Sequence, residues 1–254
     1  MTRFSLPIAV FLSLISLAVV AEASDFIGPD LLIPIAGRTD GAHGSRWQTD
    51  ILITNTSRSW ASEPVLIVFR RDGTPDLELS STIEPRATLI LRDAIRTTFG
   101  REDGVGTIRV IAASDRAMLS ARARIYNTAS EPGEFGQIVQ GVVVSNLPRE
   151  ACLPGLSGLP PNRTNVGIAN ATAEHAHAVL TLWDRNGEMR RGILVEIPAG
   201  GFLVLNDVFA HLGTGPLDGA TIHVVASHPF YAWASIVRSD SGDSDFVAAS
   251  GIER

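Results

Sequence analysis

Lysine is absent: all 21 basic residues of this 254-residue chain are arginine. Against 27 Asp and Glu they leave a net charge of −6, which gives no electrostatic basis for binding nucleic acid or an anionic membrane surface. Cysteine is almost absent too. The single thiol, Cys152, excludes an intramolecular disulfide, so the fold must rest on its core, which a chain of this length can bury. A buried, inert thiol is the plain reading of Cys152; an intermolecular disulfide or a reactive thiol are the others. Aromatic residues are only 6% of the chain, with four Trp and two Tyr, so any that fall in loops stand out. Beyond the N-terminal segment no apolar run approaches the roughly 20 residues of a membrane-spanning helix. Sequence signatures of catalysis are also missing. Gly155-Leu156-Ser157-Gly158 lacks the spacing of a nucleophile elbow, and no phosphate loop, zinc spacing or dinucleotide-binding glycine pattern is found.

The composition is that of a globular chain, 45% apolar and 19% charged, and 23 Gly with 14 Pro indicate many turns. Residues 1–23 have the form of a cleavable secretory signal. Arg3 supplies the positive end, Ile8 to Val20 the apolar stretch, and Ala21-Glu22-Ala23 the small residues before a cut at Ser24. The alternative is an uncleaved membrane anchor, since Phe4 to Val20 is nearly long enough to span; the lack of a following basic cluster favours cleavage.

Laid against itself with a shift of roughly 115 residues, the chain repeats. Thr49-Asp50-Ile51-Leu52-Ile53-Thr54-Asn55 aligns with Thr164-Asn165-Val166-Gly167-Ile168-Ala169-Asn170. Val65 to Phe69 with Asp72-Gly73 aligns with Val179 to Trp183 with Asn186-Gly187. Pro85 and Thr88 to Asp93 align with Pro198 and Phe202 to Asp207, and Thr107 to Val110 with Thr221 to Val224. Leu32-Ile33-Pro34 and Cys152-Leu153-Pro154 open the two copies. A duplicated unit is the economical explanation, because a shared fold demands the same alternation and the same turn residues.

Each copy reads as strands. Ile51 and Ile53 alternate with polar neighbours, and the Asp-Gly and Asn-Gly dipeptides suit tight hairpin turns. Further strands are expected over 77–83, 88–91, 106–112, 118–126 and 137–144. Asp93 and Asp207 are expected to cap a short helix closed at Gly100 or Gly213. The predicted fold is therefore all-β: two tandem related β-sandwich domains, immunoglobulin-like, each with one short crossover helix. The predicted boundaries are 28–148 and 149–254, after the signal at 1–23. A jelly roll or small barrel is the alternative. These blocks resemble bacterial exported proteins built from tandem immunoglobulin-like or fibronectin-like modules. That resemblance implies an adhesive, spacer or binding role and carries no catalytic residue with it.

Two kinds of candidate site follow. Core positions keep their apolar character across a duplication, so aromatics that turn polar in the other copy mark the periphery. Trp47 aligns with Asn162 and Trp60 with His175, making both candidate ligand platforms, with a core plug and interdomain packing as their alternatives. Asp240, Asp243 and Asp245 around Gly242 form an acidic run able to offer oxygen ligands to calcium, or a solvated hairpin tip. His175 and His177 beside Glu174 are too few for a metal site. Asn55 and Asn170 fit the glycosylation pattern, but as strand-end amides they serve the backbone better. The functional expectation is a non-enzymatic exported interaction or scaffold module of the bacterial envelope or extracellular space, with a protein or glycan partner. The alternatives are a carbohydrate-binding protein using its tryptophans, or a hydrolase with an interdomain site.

Overall fold

The computed structural model describes residues 25–41, 44–58, 63–71, 76–129, 136–239 and 243–252. The first half contributes β1 (Asp30–Asp40), β2 (Arg46–Asn55), β3 (Glu63–Arg70), β4 (Leu77–Ile83), β5 (Thr88–Leu91), α1 (Ala94–Thr97), β6 (Gly104–Ala112), β7 (Leu119–Asn127), β8 (Gly136–Gln140) and β9 (Val142–Val143). A 3-10 turn at Val144–Asn146 leads into the second half. There follow β10 (Glu150–Leu156), β11 (Asn162–Asn170), β12 (Ala176–Trp183), β13 (Met189–Ile197), β14 (Phe202–Leu205), α2 (Val208–Leu212), β15 (Ala220–Ala226), β16 (Phe230–Arg238), β17 (Ser244–Ala248) and β18 (Ser250–Gly251). The chain is all-β, with antiparallel sheets packed as sandwiches.

Strand order repeats. In the first half β4-β3-β6-β1 with β9 beside β1 makes a five-stranded sheet, and β5-β2-β7-β8 a four-stranded one. In the second half β13-β12-β15-β10-β18 and β14-β11-β16-β17 follow the same order, element for element. The last residues of β1 also bridge to β2 through Thr39 and Trp47, which joins the first half's two sheets at one corner. Pairing of the second strand with the fifth, and of the third with the sixth, follows the immunoglobulin sandwich. The outer strands do not: the first strand joins the sixth, and the seventh joins the second.

The expected strand over 137–144 is broken at Gly141. Its first part pairs β7 and its second part pairs β1, so the chain crosses from one sheet to the other there. The sequence alignment of β3 with β12 is one residue out. Ile67 and Leu180 occupy the same place, opposite Val110 and Val224, so Phe69 corresponds to Leu182 and Trp183 to Arg70. A slip of one residue turns a strand's faces over: Trp183 lies on the outer face, half-buried, whereas Phe69 is in the core. The prolines shift likewise, since Arg86 and Gly200, both at φ 64°, mark the equivalent turn.

Each sandwich closes on its own apolar interior. Ile51, Ile53, Ile67, Phe69 and Ile108 fill the first, and Val166, Ile168, Leu180, Leu182 and Ile222 the second. A third, smaller cluster of Leu32, Val142, Leu147, Ala169 and Trp233 lies between the halves. There Arg109 pairs with both carboxylate oxygens of Asp30 and donates from Nη1 to the carbonyl of Ala171 at 2.8 Å. The Trp233 ring lies over Gly167, where any Cβ would overlap it. Positions equivalent to this interface turn polar where nothing covers them. Ala169, Phe202, Tyr231 and Trp233 correspond to Thr54, Thr88, Ser120 and Arg122.

Candidate functional site

The corner where β1 turns into β2 is built on a fixed backbone feature. Asp93 and Asp207 begin their helices in the left-handed conformation, both at φ 44°, which is costly for a residue other than glycine. In each half the same neighbour holds it in place. Asp50 Oδ1 accepts from Asp93 N at 2.9 Å, and Asn165 Oδ1 from Asp207 N at 3.0 Å. In the second half Ala210 N also donates a long capping bond to Asp207 Oδ1, at 3.4 Å.

Around this shared device the first half adds charge. Asp50, buried, takes an ion pair from Arg92 at 2.5 Å and a bond from the Tyr126 hydroxyl at 3.2 Å; the Arg124 guanidinium lies 4.7 Å from the Tyr126 ring centre. Asp93 receives Arg38 at 2.9 Å and Arg96 at 3.1 Å on Oδ2, while its buried Oδ1 has no hydrogen-bond partner among the described residues. Arg38 also donates from Nε to the Glu102 carbonyl at 2.9 Å. Held by the Asp93 carboxylate and the Glu102 carbonyl, the Arg38 side chain is set in one orientation before any ligand arrives.

Arg38 lines a cleft of about 260 Å³ with Trp47, Asp40, Gln48, Glu102 and Asp103. Trp47 is half-buried. It packs against the first core, and its Nε1 donates to Ser45 Oγ at 3.1 Å, which restrains the ring. Trp47 thus packs against the first core and also lines the cleft. The equivalent cleft of the second half is different in kind. Gly158 stands for Arg38, Pro160 for Asp40 and Asn162 for Trp47, with Pro161 and Pro216 beside them. The second cleft is lined by Arg163, Asp207 and Phe209 as well; the indole of Trp47 and the arginine held by Asp93 belong to the first.

The remaining sequence candidates are placed as follows. Trp60 and Asp240 lie outside the described residues. Asp243 is exposed and bonds the next backbone N–H, Ser244 N, at 2.9 Å; Asp245 is exposed on β17, opposite Ile236. Among the described residues no group of three His, Cys, Asp or Glu side chains is arranged to hold a metal. His175 precedes β12 rather than sharing its face with His177, which stands 3.6 Å from Glu196. Asn55 and Asn170 are buried, and their amides bond backbone: to the carbonyls of Ile83 and Pro198, each at 3.0 Å, and from the N–H of Ser57 and Thr172. Cys152 is free and half-buried on β10. Where the halves meet, a cleft of about 410 Å³ is lined mainly by apolar groups, among them Phe26, Val142, Leu147 and Phe230, with Asn146 donating to Asp25 at its edge.

One polar chain escaped the sequence reading because its members are distant in sequence. His228 Nδ1 contacts Ser227 Oγ at 3.0 Å and its Nε2 contacts Glu174 Oε2 at 3.1 Å, while the N–H of His177 donates to the same hydroxyl. The exposed turn between β15 and β16 is thereby tied to the start of β12. Groove residues Gln48, Glu102 and Asp103 were also unforeseen; charged residues at strand ends carry no signal until the loops are brought together.

No family model matches the chain, and no curated protein matches it. Among solved structures, a β-glucuronidase from glycoside hydrolase family 2 aligns with 86% of this chain at 11% identity and a TM-score of 0.17. The chain spans 25% of that enzyme's length. A Pleurotus ostreatus lectin in its apo form aligns with 91% of this chain and 86% of its own, at 10% identity and a TM-score of 0.14. Likenesses this slight carry no argument about fold or function.

Proposed function

We propose that this protein is a non-enzymatic interaction module, exported to the bacterial envelope or the extracellular space, and that the first-half cleft beside Trp47 holds a saccharide. The observation that carries the reading is the divergence of the duplicated cleft. A frame that both halves share carries, in one half only, an anchored indole and an arginine ion-paired to the aspartate at the helix entrance. Sugars are recognised by this combination, with the apolar face of the ring on an aromatic plane and the hydroxyls on charged or amide groups at its edge. The volume of the cleft suits one or two sugar units. Export rests on the N-terminal segment, whose cut after Ala23 would leave Ser24 as the first residue.

The experiment is a titration with fragments of envelope and secreted polysaccharides, followed by tryptophan fluorescence in the wild-type protein and in Trp47→Ala. Binding with a fluorescence change in the first, lost in the second at unchanged fold, is the expected result. A glycan array without signal, together with unaltered fluorescence, would discard the saccharide. N-terminal sequencing of the exported protein tests the cut.

A further inference from the structure

The halves meet through one face of each: the outer face of the first half's five-stranded sheet, and the outer face of the second half's four-stranded sheet. Because strand order repeats, each of these faces has a counterpart that, apart from a contact of β17 along the β8 edge, no described residue covers. On the second half's five-stranded sheet, Leu194, Val179 and Val225 form a row across three neighbouring strands and are 68%, 45% and 39% exposed. On the first half's four-stranded sheet, Leu52 lies between Ile90 and Arg122, and the exposed Ile138 lies opposite Arg124. Aliphatic residues gathered on an open sheet face mark a contact surface.

We propose that a second copy of this chain docks head to tail, setting the four-stranded face of its first half on the five-stranded face of the second half. The contact repeats between molecules the stack that joins the halves within one. Three observations fit the faces together. The faces are the same pair, in the same strand order, as those already in contact. Their charges lean opposite ways: Arg122 and Arg124, beside an Arg92 already paired with Asp50, lie on one, and Glu150 and Glu196, each beside a histidine, on the other. The particular contacts also transpose. Within the chain, Arg70 enters the space left by Gly200. At the equivalent positions between copies, Trp183 would meet Arg86, a cation over an indole face. Arg109 bonds the Ala171 carbonyl; its counterpart His223, 3.0 Å from Glu150, would face the Thr56 carbonyl. A self-paired contact of either face would set like charges together. Each copy keeps one free face of each kind after a head-to-tail contact, so association continues into a ring or an open chain of molecules.

Sedimentation and light scattering on the purified protein test this. The average mass is expected to rise with concentration and to fall with added salt. Leu194→Glu and Arg122→Glu, both at exposed positions, are each expected to remain monomeric with unchanged melting. Mixed in equal amounts they are expected to form a dimer and nothing larger, because each retains one intact and complementary face. A wild-type protein that stays monomeric up to about 1 mM overturns the proposal. So does a closed dimer that survives Arg122→Glu, and so does a mixture of the two variants that remains monomeric.

Discussion

The carboxylate of Asp50 accepts a hydrogen bond from the backbone N–H of Asp93 at 2.9 Å, holding a left-handed residue at the entrance to α1; Asn165 does the same for Asp207. An amide thus suffices for the backbone. Asp50→Asn is expected to keep that bond and lose the ion pair with the largely exposed Arg92, costing about 1 kcal/mol or less. Asp50→Ala leaves the N–H of Asp93 and the Tyr126 hydroxyl without their acceptor and is expected to cost about 2–3 kcal/mol. Urea unfolding of the two variants separates these effects; equal losses would mean that charge, rather than the backbone bond, is what matters.

Trp233 and Gly167 form a second pair, with the indole seated on the glycine between the halves. Trp233→Ala is expected to cost about 3–5 kcal/mol. Gly167→Ala should cost about 1–3 kcal/mol through overpacking, although it adds only a methyl group. Because this cluster joins two separate cores, Trp233→Ala should also split one calorimetric transition into two. A single sharp transition in that variant would show that the halves are coupled by other contacts.

Arg109 ties Asp30 to Ala171 across the same boundary. Asp30 is about a third exposed, so solvent screening holds the expected loss in Arg109→Ala to about 1–2 kcal/mol. Arg109→His copies the pair that the second half already uses, His223 with Glu150. Beside the Asp30 carboxylate the imidazole should regain stability in full below its ordinary value of about 6.5 and lose it as the pH rises above that. Melting curves at acid and neutral pH check this, and a pH-independent Arg109→His would count against it.

Burial pushes the Tyr231 hydroxyl up to about 12 from its ordinary value of 10.0. A folded-state value above the unfolded one means that the neutral phenol favours the fold. The contribution is complete below pH 10 and is lost as the pH rises towards 12. The decline should approach about 1.4 kcal/mol per pH unit across that window. Tyr231→Phe is expected to lack it, and parallel curves for the two proteins would refute the assignment.

The strands themselves were largely legible in the sequence, as were both short helices and the turn at Asn186-Gly187. The register between the copies was not. Val65 to Phe69 is apolar at every position, so its period cannot say which residues face inwards. Val68, 2% exposed beside Arg109, shows that the outer face is sheltered there as well as the inner one. β12 alternates cleanly, because Val179 is left in solvent. The polar counterpart of Trp47 set it apart in the sequence, and the structure has it half-buried against the first core. The cleft it lines was not legible, since Arg38, Gln48 and Glu102 reach it from separate strands and loops.

Local chemistry alone determined that this chain forms paired strands with short helices after Asp93 and Asp207: alternation, turn dipeptides and glycine positions act within a few residues. Which outer faces are covered was decided by the tertiary structure. Trp233 and Arg122 occupy the same place on equivalent strands, and only the presence of the other half over one of them makes an apolar side chain favourable there. Burial depends on what arrives from far along the chain, and a short stretch of sequence does not contain that information.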